Sequence, residues 1–230
     1  MTTTTMAAAE PVKRARPRLV LAICCMSLLI VGMDVTIVNV ALPSIQHDLG
    51  ASVTSLQWAT AGYTVVLASL LMLGGSTADR LGRARVFKIG LALFTAASLA
   101  CSLAPGIGWL IAFRMVQGVA GAMLNPVAMS IIRNTFEDPR ERAQAIGIWA
   151  AVVGISMAMG PVLGGVLVGL SWRAVFLVNI PIGLAAIALT ARFVPESRAP
   201  RPRRPDPLGQ VLVILMLATL TSAIIEGPSL

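Results

Sequence analysis

The chain contains at residues 19–40 the run LVLAICCMSLLIVGMDVTIVNV, in which Asp34 is the only charged side chain. A helix of about 22 residues rises about 33 Å, enough to cross a hydrocarbon core of about 30 Å. Backbone amides in lipid must find partners within their own segment, so this run predicts a transmembrane helix. The pattern recurs six times, at residues 55–77, 86–105, 108–132, 144–169, 174–194 and 208–226. Together the seven runs predict an all-α integral membrane protein.

The composition supports the same fold class. Of 230 residues, 57% are hydrophobic and 12% are charged, whereas soluble domains carry about 25% charged residues. The surplus of apolar side chains must face a lipid bilayer. The net charge of +8 does not indicate nucleic acid binding, because the basic residues form short clusters between apolar runs. No grouping of His, Cys or carboxylates has catalytic or metal spacing, so we expect no enzyme, no metal and no cofactor.

The distribution of Lys and Arg predicts the orientation of the helices. Of the 18 basic residues, sixteen lie before the first run or in and around the stretches that follow the second, fourth and sixth runs. Arg173 lies on the opposite side, and Arg114 lies inside the fourth run. Because basic loops stay cytoplasmic, we expect a multi-pass protein of the cell membrane with a cytoplasmic amino terminus.

The spacing of the runs divides the chain into four parts. Residues 1–18 form a basic cytoplasmic tail, and residues 19–194 form a six-helix unit that we interpret as the amino-terminal half of a transporter. Residues 195–207, PESRAPRPRRPDP, are too rich in Pro for a helix interior and predict a cytoplasmic linker. Residues 208–230 hold a seventh transmembrane helix, with no second half after it. We therefore expect a truncated chain that needs a carboxy-terminal half.

Asp34 and Arg114 are the charges that lie well within the apolar runs. Without a partner, each would cost about 2.5–3.5 kcal/mol on insertion scales. At 1.5 Å per residue, Asp34 lies about 22 Å from the cytoplasmic start of its run, and Arg114 about 9 Å from the outer start of its own. In a core of about 30 Å the two side chains are at nearly the same depth and can pair. Either the pair only fixes helix packing, or Asp34 exchanges a proton while Arg114 tunes its proton affinity.

The stretch GGSTADRLGRAR, residues 74–85, joins the second and third runs. Gly82 permits a tight turn, and Arg83 and Arg85 anchor the loop at the cytoplasmic surface. Asp79 can cap or face the amino end of a neighbouring helix. Two interpretations stay open: a well-made turn, or a latch that holds the cytoplasmic gate in one state.

This stretch resembles the signature loop of the major facilitator superfamily, although Thr77 replaces the Leu that is usual there. The resemblance implies a six-helix bundle of two inverted three-helix repeats, followed here by a seventh transmembrane helix. It also implies a gating role for the loop. The matching residues are Gly75, Ala78, Asp79, Arg80, Gly82, Arg83 and Arg85.

Two further stretches resemble the fourteen-span drug:proton antiporter branch of that superfamily. MDVTIVNVALP, residues 33–43, is similar to the motif of its first span, and LIAFRMVQGVAGA, residues 110–122, to that of its fourth. The resemblance implies that Arg114 takes part in proton transfer or coupling. We therefore expect Asp34, Arg114 and Gln117 to form a proton-coupling or substrate site.

Glycines in the fifth run fall at the spacing of the antiporter motif of the same branch, with Ser156 where the family usually has Gly. Small residues four apart let helices pack closely in lipid, and this alone explains the glycines. The resemblance is what favours export by antiport over import. The motif residues are Gly147, Gly160, Pro161, Gly164 and Gly165.

Several polar residues in the runs are candidates for lining a cavity. Hydrogen bonding between helices explains each of them equally well, so both interpretations stay open. These residues are Asn39, Gln57, Tyr63, Asn125 and Asn179.

The sequence therefore predicts proton-coupled efflux of small amphipathic or cationic compounds such as drugs. In this hypothesis Asp34 exchanges proton and substrate, Arg114 modulates it, and the loop at 74–85 gates the cytoplasmic side. The expected partners are the small-molecule substrate, protons, the lipid bilayer and a carboxy-terminal half. The alternatives are a non-transporting fragment or accessory membrane subunit, and a major facilitator transporter of another small solute.

Overall fold

The computed structural model describes residues 16–199 and 206–227, and within these ranges every regular element is a helix. α6 and α7 follow each other across Val178 and together form one span. In the part of the chain that the structure describes, seven helical segments are therefore long and apolar enough to cross a membrane. The predicted all-α membrane fold is confirmed. The helices are α1 Pro17–Leu49, α2 Val53–Leu81, α3 Arg83–Ser102, α4 Ile107–Thr135, α5 Pro139–Val168, α6 Ala174–Leu177, α7 Asn179–Phe193 and α8 Pro207–Glu226.

Parts of the predicted tail and linker fall outside the described residues. They are residues 1–15 of the tail, residues 200–205 of the linker, and the last three residues, 228–230.

Some helices end at positions that the apolar runs do not mark. α1 continues past Val40 to Leu49, where Gly50 ends it in a left-handed conformation with φ of 59°. α3 ends at Ser102, earlier than the predicted end at residue 105, because Pro105 disfavours helical backbone in the residue before it. Hydropathy marks the part of a helix that lies in lipid, whereas local backbone chemistry decides where the helix stops.

The packing of the helices has a two-fold pattern. α1 packs mainly along α5, and α2 mainly along α4. A rotation that exchanges the α1–α3 unit with the α4–α7 unit converts the first pair into the second, as two inverted repeats require. α3 packs on α4 and α7, whereas α8 lies outside the bundle against α2 and none of its described side chains is buried.

Glycine allows close approach at both of these crossings. On α5, a Cβ at Gly160 would overlap the side chain of Thr36 and lie 3.1 Å from the backbone nitrogen of Ile37. On α4, a Cβ at Gly118 would lie 2.6 Å from the carbonyl oxygen of Tyr63. Bare backbone at these points brings α1 close to α5 and α2 close to α4. The two crossings frame the interior in which the charged residues lie.

Candidate functional site

Asp34 on α1 and Arg114 on α4 are in contact inside the bundle. The guanidinium Nη1 of Arg114 donates a hydrogen bond to Asp34 Oδ2, and its Nε donates to the carbonyl oxygen of Ala59 at 3.2 Å. The two side chains are 0% and 2% exposed. A buried charge without a partner is strongly destabilising, so each of these residues requires the other. Whether the pair also exchanges a proton is a question of function.

Gln117 lies one turn beyond Arg114 on α4 and bridges the ion pair to α3. Its Nε2 donates to Asp34 Oδ1 at 2.9 Å and to Ser98 Oγ at 2.8 Å. Its Oε1 accepts from Arg114 Nη1 at 2.8 Å and lies 3.9 Å from the Cys101 sulfur. Both ends of this amide are therefore engaged, which fixes its orientation.

Asn179, the first residue of α7, reaches the same carboxylate from the other side. Its Nδ2 donates to Asp34 Oδ1 at 3.1 Å and to Ser98 Oγ at 3.3 Å. Its Oδ1 is buried and has no hydrogen-bond partner among the described residues. Asp34 thus receives hydrogen bonds from three side chains on two helices, and one of these donors has an unused acceptor.

Tyr63 on α2 covers the guanidinium. The Arg114 Cζ lies 4.3 Å from the centroid of the tyrosine ring, a cation–π geometry. The hydroxyl oxygen of Tyr63 is buried, without a hydrogen-bond partner within the described ranges. The aromatic face helps to hold the charge of Arg114 in a site that water does not reach.

The site is a charge-balanced polar cluster at the meeting point of α1, α2, α3, α4 and α7. Among the residues described, Asp34 is the one buried carboxyl group. A carboxylate can take up a proton, and doing so would leave the charge of Arg114 without its counter-ion. Uptake of one proton would therefore change the net charge of the cluster by one. No group of three or more His, Cys, Asp or Glu that could hold a metal occurs in residues 16–199 and 206–227.

The remaining predicted cavity residues lie outside this cluster. Asn39 is exposed and donates to the carbonyl oxygen of Val35 at 3.2 Å. Gln57 is exposed on α2. Asn125 is half-buried on α4, with its side-chain oxygen unpaired within the described residues. Of the predicted set, the structure brings Tyr63 and Asn179 to the Asp34 site and not these three.

The predicted gate loop turns sharply between α2 and α3. Gly82 has φ of 113°, a conformation that favours glycine. Asp79 pairs with Arg83 across the turn, with Oδ1 3.0 Å from Nη2, rather than capping a helix. The cap of α3 comes instead from Glu196, whose carboxylate accepts from the backbone amides of residues 84 and 85 at 3.0 and 3.1 Å.

The segment after α7 is bound along this loop. The amide of Arg83 donates to the carbonyl oxygen of Ser197 at 2.9 Å, and the amide of Ala199 donates to that of Asp79 at 3.1 Å. The side chains of Arg80 and Arg85 are exposed, and Gly75 packs near Pro126 on α4. The loop is therefore joined to the segment that follows the sixth span.

The predicted antiporter motif on α5 divides between two faces. Gly160 and Gly164 lie against α1, where a Cβ at Gly164 would be 3.0 Å from the Val40 Cβ. At Gly147 and Gly165 an added Cβ would meet nothing within 4 Å, and Pro161 is exposed. The first pair is explained by packing, and the structure gives no contact that explains the others.

Sequence reasoning missed Ser98 and Glu196. Ser98 could have been found by the depth count applied to Asp34, because at 1.5 Å per residue it lies about 18 Å from the cytoplasmic start of its apolar run. Glu196 carries no comparable signal, since its partners are 111 and 112 residues away in the chain.

Within the described residues, six membrane-length helical segments surround a buried, charge-balanced cluster and a seventh lies outside them against α2, which defines a multi-pass membrane protein. Residues 24–225 match the Major Facilitator Superfamily, and the chain belongs to that family. The Major Facilitator Superfamily is a family of transporters and not of enzymes, in agreement with the prediction.

Two relatives illustrate the similarity in sequence. The chain is 43% identical over 201 residues to the methylenomycin A resistance protein of Streptomyces coelicolor, covering 86% of this chain and 42% of that protein. It is 40% identical over 206 residues to the multidrug resistance protein Stp of Mycobacterium tuberculosis, covering 89% of this chain and 38% of Stp. The chain thus spans about two fifths of the length of these relatives.

A solved structure shows the same fold. A bacterial homologue of the human lysosomal transporter Spinster, in an inward-facing and occupied conformation, superposes with a TM-score of 0.68 at 24% identity. The match covers 86% of this chain and 48% of the homologue.

Proposed function

We propose that this chain is the amino-terminal half of a proton-coupled exporter of small amphipathic or cationic compounds. The observation that carries the proposal is the buried carboxylate of Asp34, balanced by Arg114 and hydrogen-bonded by Gln117 and Asn179. Ionisable groups inside a membrane are costly and mark proton and substrate pathways. The names of the relatives, which refer to drug resistance, support efflux as the direction of transport.

Protonation of Asp34 provides the coupling step. In the ionised state the carboxylate neutralises Arg114 and holds α1 to α4 through a buried ion pair. A proton on the carboxyl group removes that neutralisation and leaves a buried guanidinium, which favours a state in which Arg114 gains water or another anion. A cationic substrate competes for the same carboxylate. Exchange of the two ligands at one group is the basis of antiport.

We propose a cell-membrane protein with a cytoplasmic amino terminus, in which a carboxy-terminal half completes the substrate path. The loop at 74–85, with its Asp79–Arg83 pair and the Glu196 cap, then lies at the cytoplasmic end and acts as the gate. Rocking of the two halves about the midplane gives access from either side.

The test is pH-driven transport of a fluorescent cationic dye by the full-length protein in liposomes. We expect Asp34→Asn to abolish dye movement driven by an imposed pH gradient. The matched control is Asp48→Asn, which changes a carboxylate on the same helix that is 48% exposed and accepts from the indole nitrogen of Trp172. An amide oxygen can still accept that hydrogen bond, so transport should persist.

Two results would count against the proposal. Unchanged pH-driven transport in Asp34→Asn would remove Asp34 from the coupling role. Failure of the unaltered full-length protein to move any cationic or amphipathic dye would favour the accessory subunit or a transporter of another solute.

A further inference from the structure

We propose that Asn179 senses the protonation state of Asp34 by turning its side-chain amide. The amide donates a hydrogen bond when Asp34 is ionised and accepts one when Asp34 carries a proton. The inference rests on the proposed proton exchange at Asp34 and adds the residue that passes the change to α7.

The contacts of Asp34 decide which oxygen takes the proton. Oδ2 receives the guanidinium Nη1 of Arg114. A guanidinium has only donors, so it cannot accept a hydrogen bond from a proton placed on Oδ2. Oδ1 faces the amides of Gln117 and Asn179, which contain acceptor oxygens as well as donors. The proton therefore binds at Oδ1, and one of the two amides must turn to accept it.

Gln117 cannot make this turn without loss. Its Oε1 accepts from Arg114 Nη1 at 2.8 Å, so a turned amide would place its own donors against the guanidinium. The same turn would give up the hydrogen bond that its Nε2 donates to Ser98. Gln117 is therefore a fixed donor whatever the charge of Asp34.

Asn179 avoids the first of these losses, because its side chain makes no hydrogen bond to Arg114 among the contacts described. Its turn does give up the hydrogen bond that Nδ2 donates to Ser98 at 3.3 Å. Its Oδ1 is fully buried and has no partner among the described residues, while its Nδ2 makes the contacts to Asp34 and Ser98. A half-turn of the amide brings Oδ1 to the place of Nδ2. There it accepts from the protonated carboxyl group, and the hydroxyl of Ser98 can turn to donate to it as well. The unpaired acceptor in the present structure is thus the partner that the protonated state requires.

Among the described side chains that hydrogen-bond Asp34, which are Arg114, Gln117 and Asn179, only Asn179 can turn in this way. Arg114 of α4 is the charged group in contact with it, and Tyr63 of α2 and Cys101 of α3 are the other titratable groups nearby. α5, α6 and α7 present no charged side chain at this depth. Asn179 also lies in the first half of the sixth span, at the start of α7, so its turn acts on that helix.

The amide carbonyl of Asn179 gives the test a direct signal. It has no hydrogen bond when Asp34 is ionised and gains one when Asp34 is neutral. We would record infrared difference spectra between high and low pH on the full-length protein with carbon-13-labelled asparagine. We expect the labelled amide carbonyl band to move to lower frequency on acidification. The shift should be lost in Asn179→Leu and in Asp34→Asn, and should persist in Asn134→Ser, which changes an exposed asparagine at the end of α4.

The same spectra separate this inference from the proposed function. A carboxylic acid band that disappears in Asp34→Asn, together with an unshifted amide band, would overturn the role of Asn179 and leave proton exchange at Asp34 intact. Absence of any acid band that depends on Asp34 would overturn both. Asn179→Ser replaces the leucine variant if the latter does not fold, because serine also lacks an amide carbonyl.

Transport gives a second readout. Loss of one buried hydrogen bond to a charged group corresponds to about tenfold to a hundredfold in a rate. We expect Asn179→Leu to slow pH-driven dye transport by at least about tenfold. The amide of Asn179 hydrogen-bonds Asp34 in both its ionised and its protonated state, so its loss destabilises both. The pH at which transport reaches half its maximal rate should therefore stay nearly constant. A fixed donor would stabilise only the ionised state, so a large displacement of that pH would overturn the proposal.

Discussion

Alanine at Gly160 should force α1 and α5 apart in the 230-residue chain. The added Cβ would lie 2.7 Å from the Cβ of Thr36, whereas ordinary contacts begin at 3.4 Å. The Thr36 Cβ is fixed by its own helix, so a change of side-chain rotamer cannot relieve the overlap. Overpacking of this kind costs about 1–3 kcal/mol. Alanine has a higher helix propensity than glycine, and this offsets up to about 1 kcal/mol of the destabilisation.

A control on the same helix cancels the propensity contribution. At Gly165 an added Cβ meets nothing within 4 Å, so Gly165→Ala changes helix propensity without overlap. The difference in the free energy of unfolding between the two variants then measures the overlap at the α1–α5 crossing alone. It should be about 1–3 kcal/mol. For a chain of this size that corresponds to about 2–12 °C in Tm.

The assay is thermal unfolding of each variant purified in detergent, followed by size-exclusion chromatography. The Tm of Gly164→Ala should lie between those of the other two variants, since an added Cβ there would lie 3.0 Å from the Cβ of Val40 and 3.2 Å from the Cγ1 of Ile37. Equal Tm values for Gly160→Ala and Gly165→Ala would show that the crossing is not as close as described, and the packing argument would then fail.

Two further predictions concern the turn between α2 and α3. Gly82→Ala should lower Tm, because φ of 113° and a Cβ placed 2.6 Å from Glu196 Oε1 together cost about 1–3 kcal/mol. Less destabilisation in the Gly82→Ala/Glu196→Ala double variant than the single variants sum to would confirm that the two residues meet, and full additivity would deny it. Glu196→Ala alone should weaken the start of α3 by about 0.5–2 kcal/mol, read as faster hydrogen exchange at the amides of Ala84 and Arg85. Unchanged exchange there would mean that the carboxylate does not cap the helix.

Features of the fold that depend on distance along a helix could be predicted from the sequence. The seven apolar runs correspond to seven membrane-length helical segments among the residues described, because a backbone in lipid can satisfy its amides in a helix. The shared depth of Asp34 and Arg114 followed from the rise of a helix, and the structure has the two side chains in contact. Both inferences depend on distance along one helix axis, which sequence spacing encodes directly.

Features set by rotation about the helix axes could not be predicted in the same way. Asn39 and Asn179 looked equivalent in sequence, yet one is exposed and the other is buried against Asp34. Which face of a helix points into the bundle depends on the neighbouring helices. A nearly uniform apolar run does not indicate that face, because it has little amphipathic pattern. The cap that Glu196 supplies depends on how the end of the sixth span packs against the turn between α2 and α3. No local sequence pattern encodes that contact.

The two crossings described above have a mechanical consequence for the bundle. The first helix of each repeat packs along the second helix of the other, α1 along α5 and α4 along α2. Each three-helix unit therefore contacts the other through two helix pairs. Neither unit can slide or tilt alone without opening both glycine-lined contacts at once. The six spans should therefore move as one unit. We expect large displacements between this unit and whatever packs on its outer surface, and only side-chain rearrangements within it.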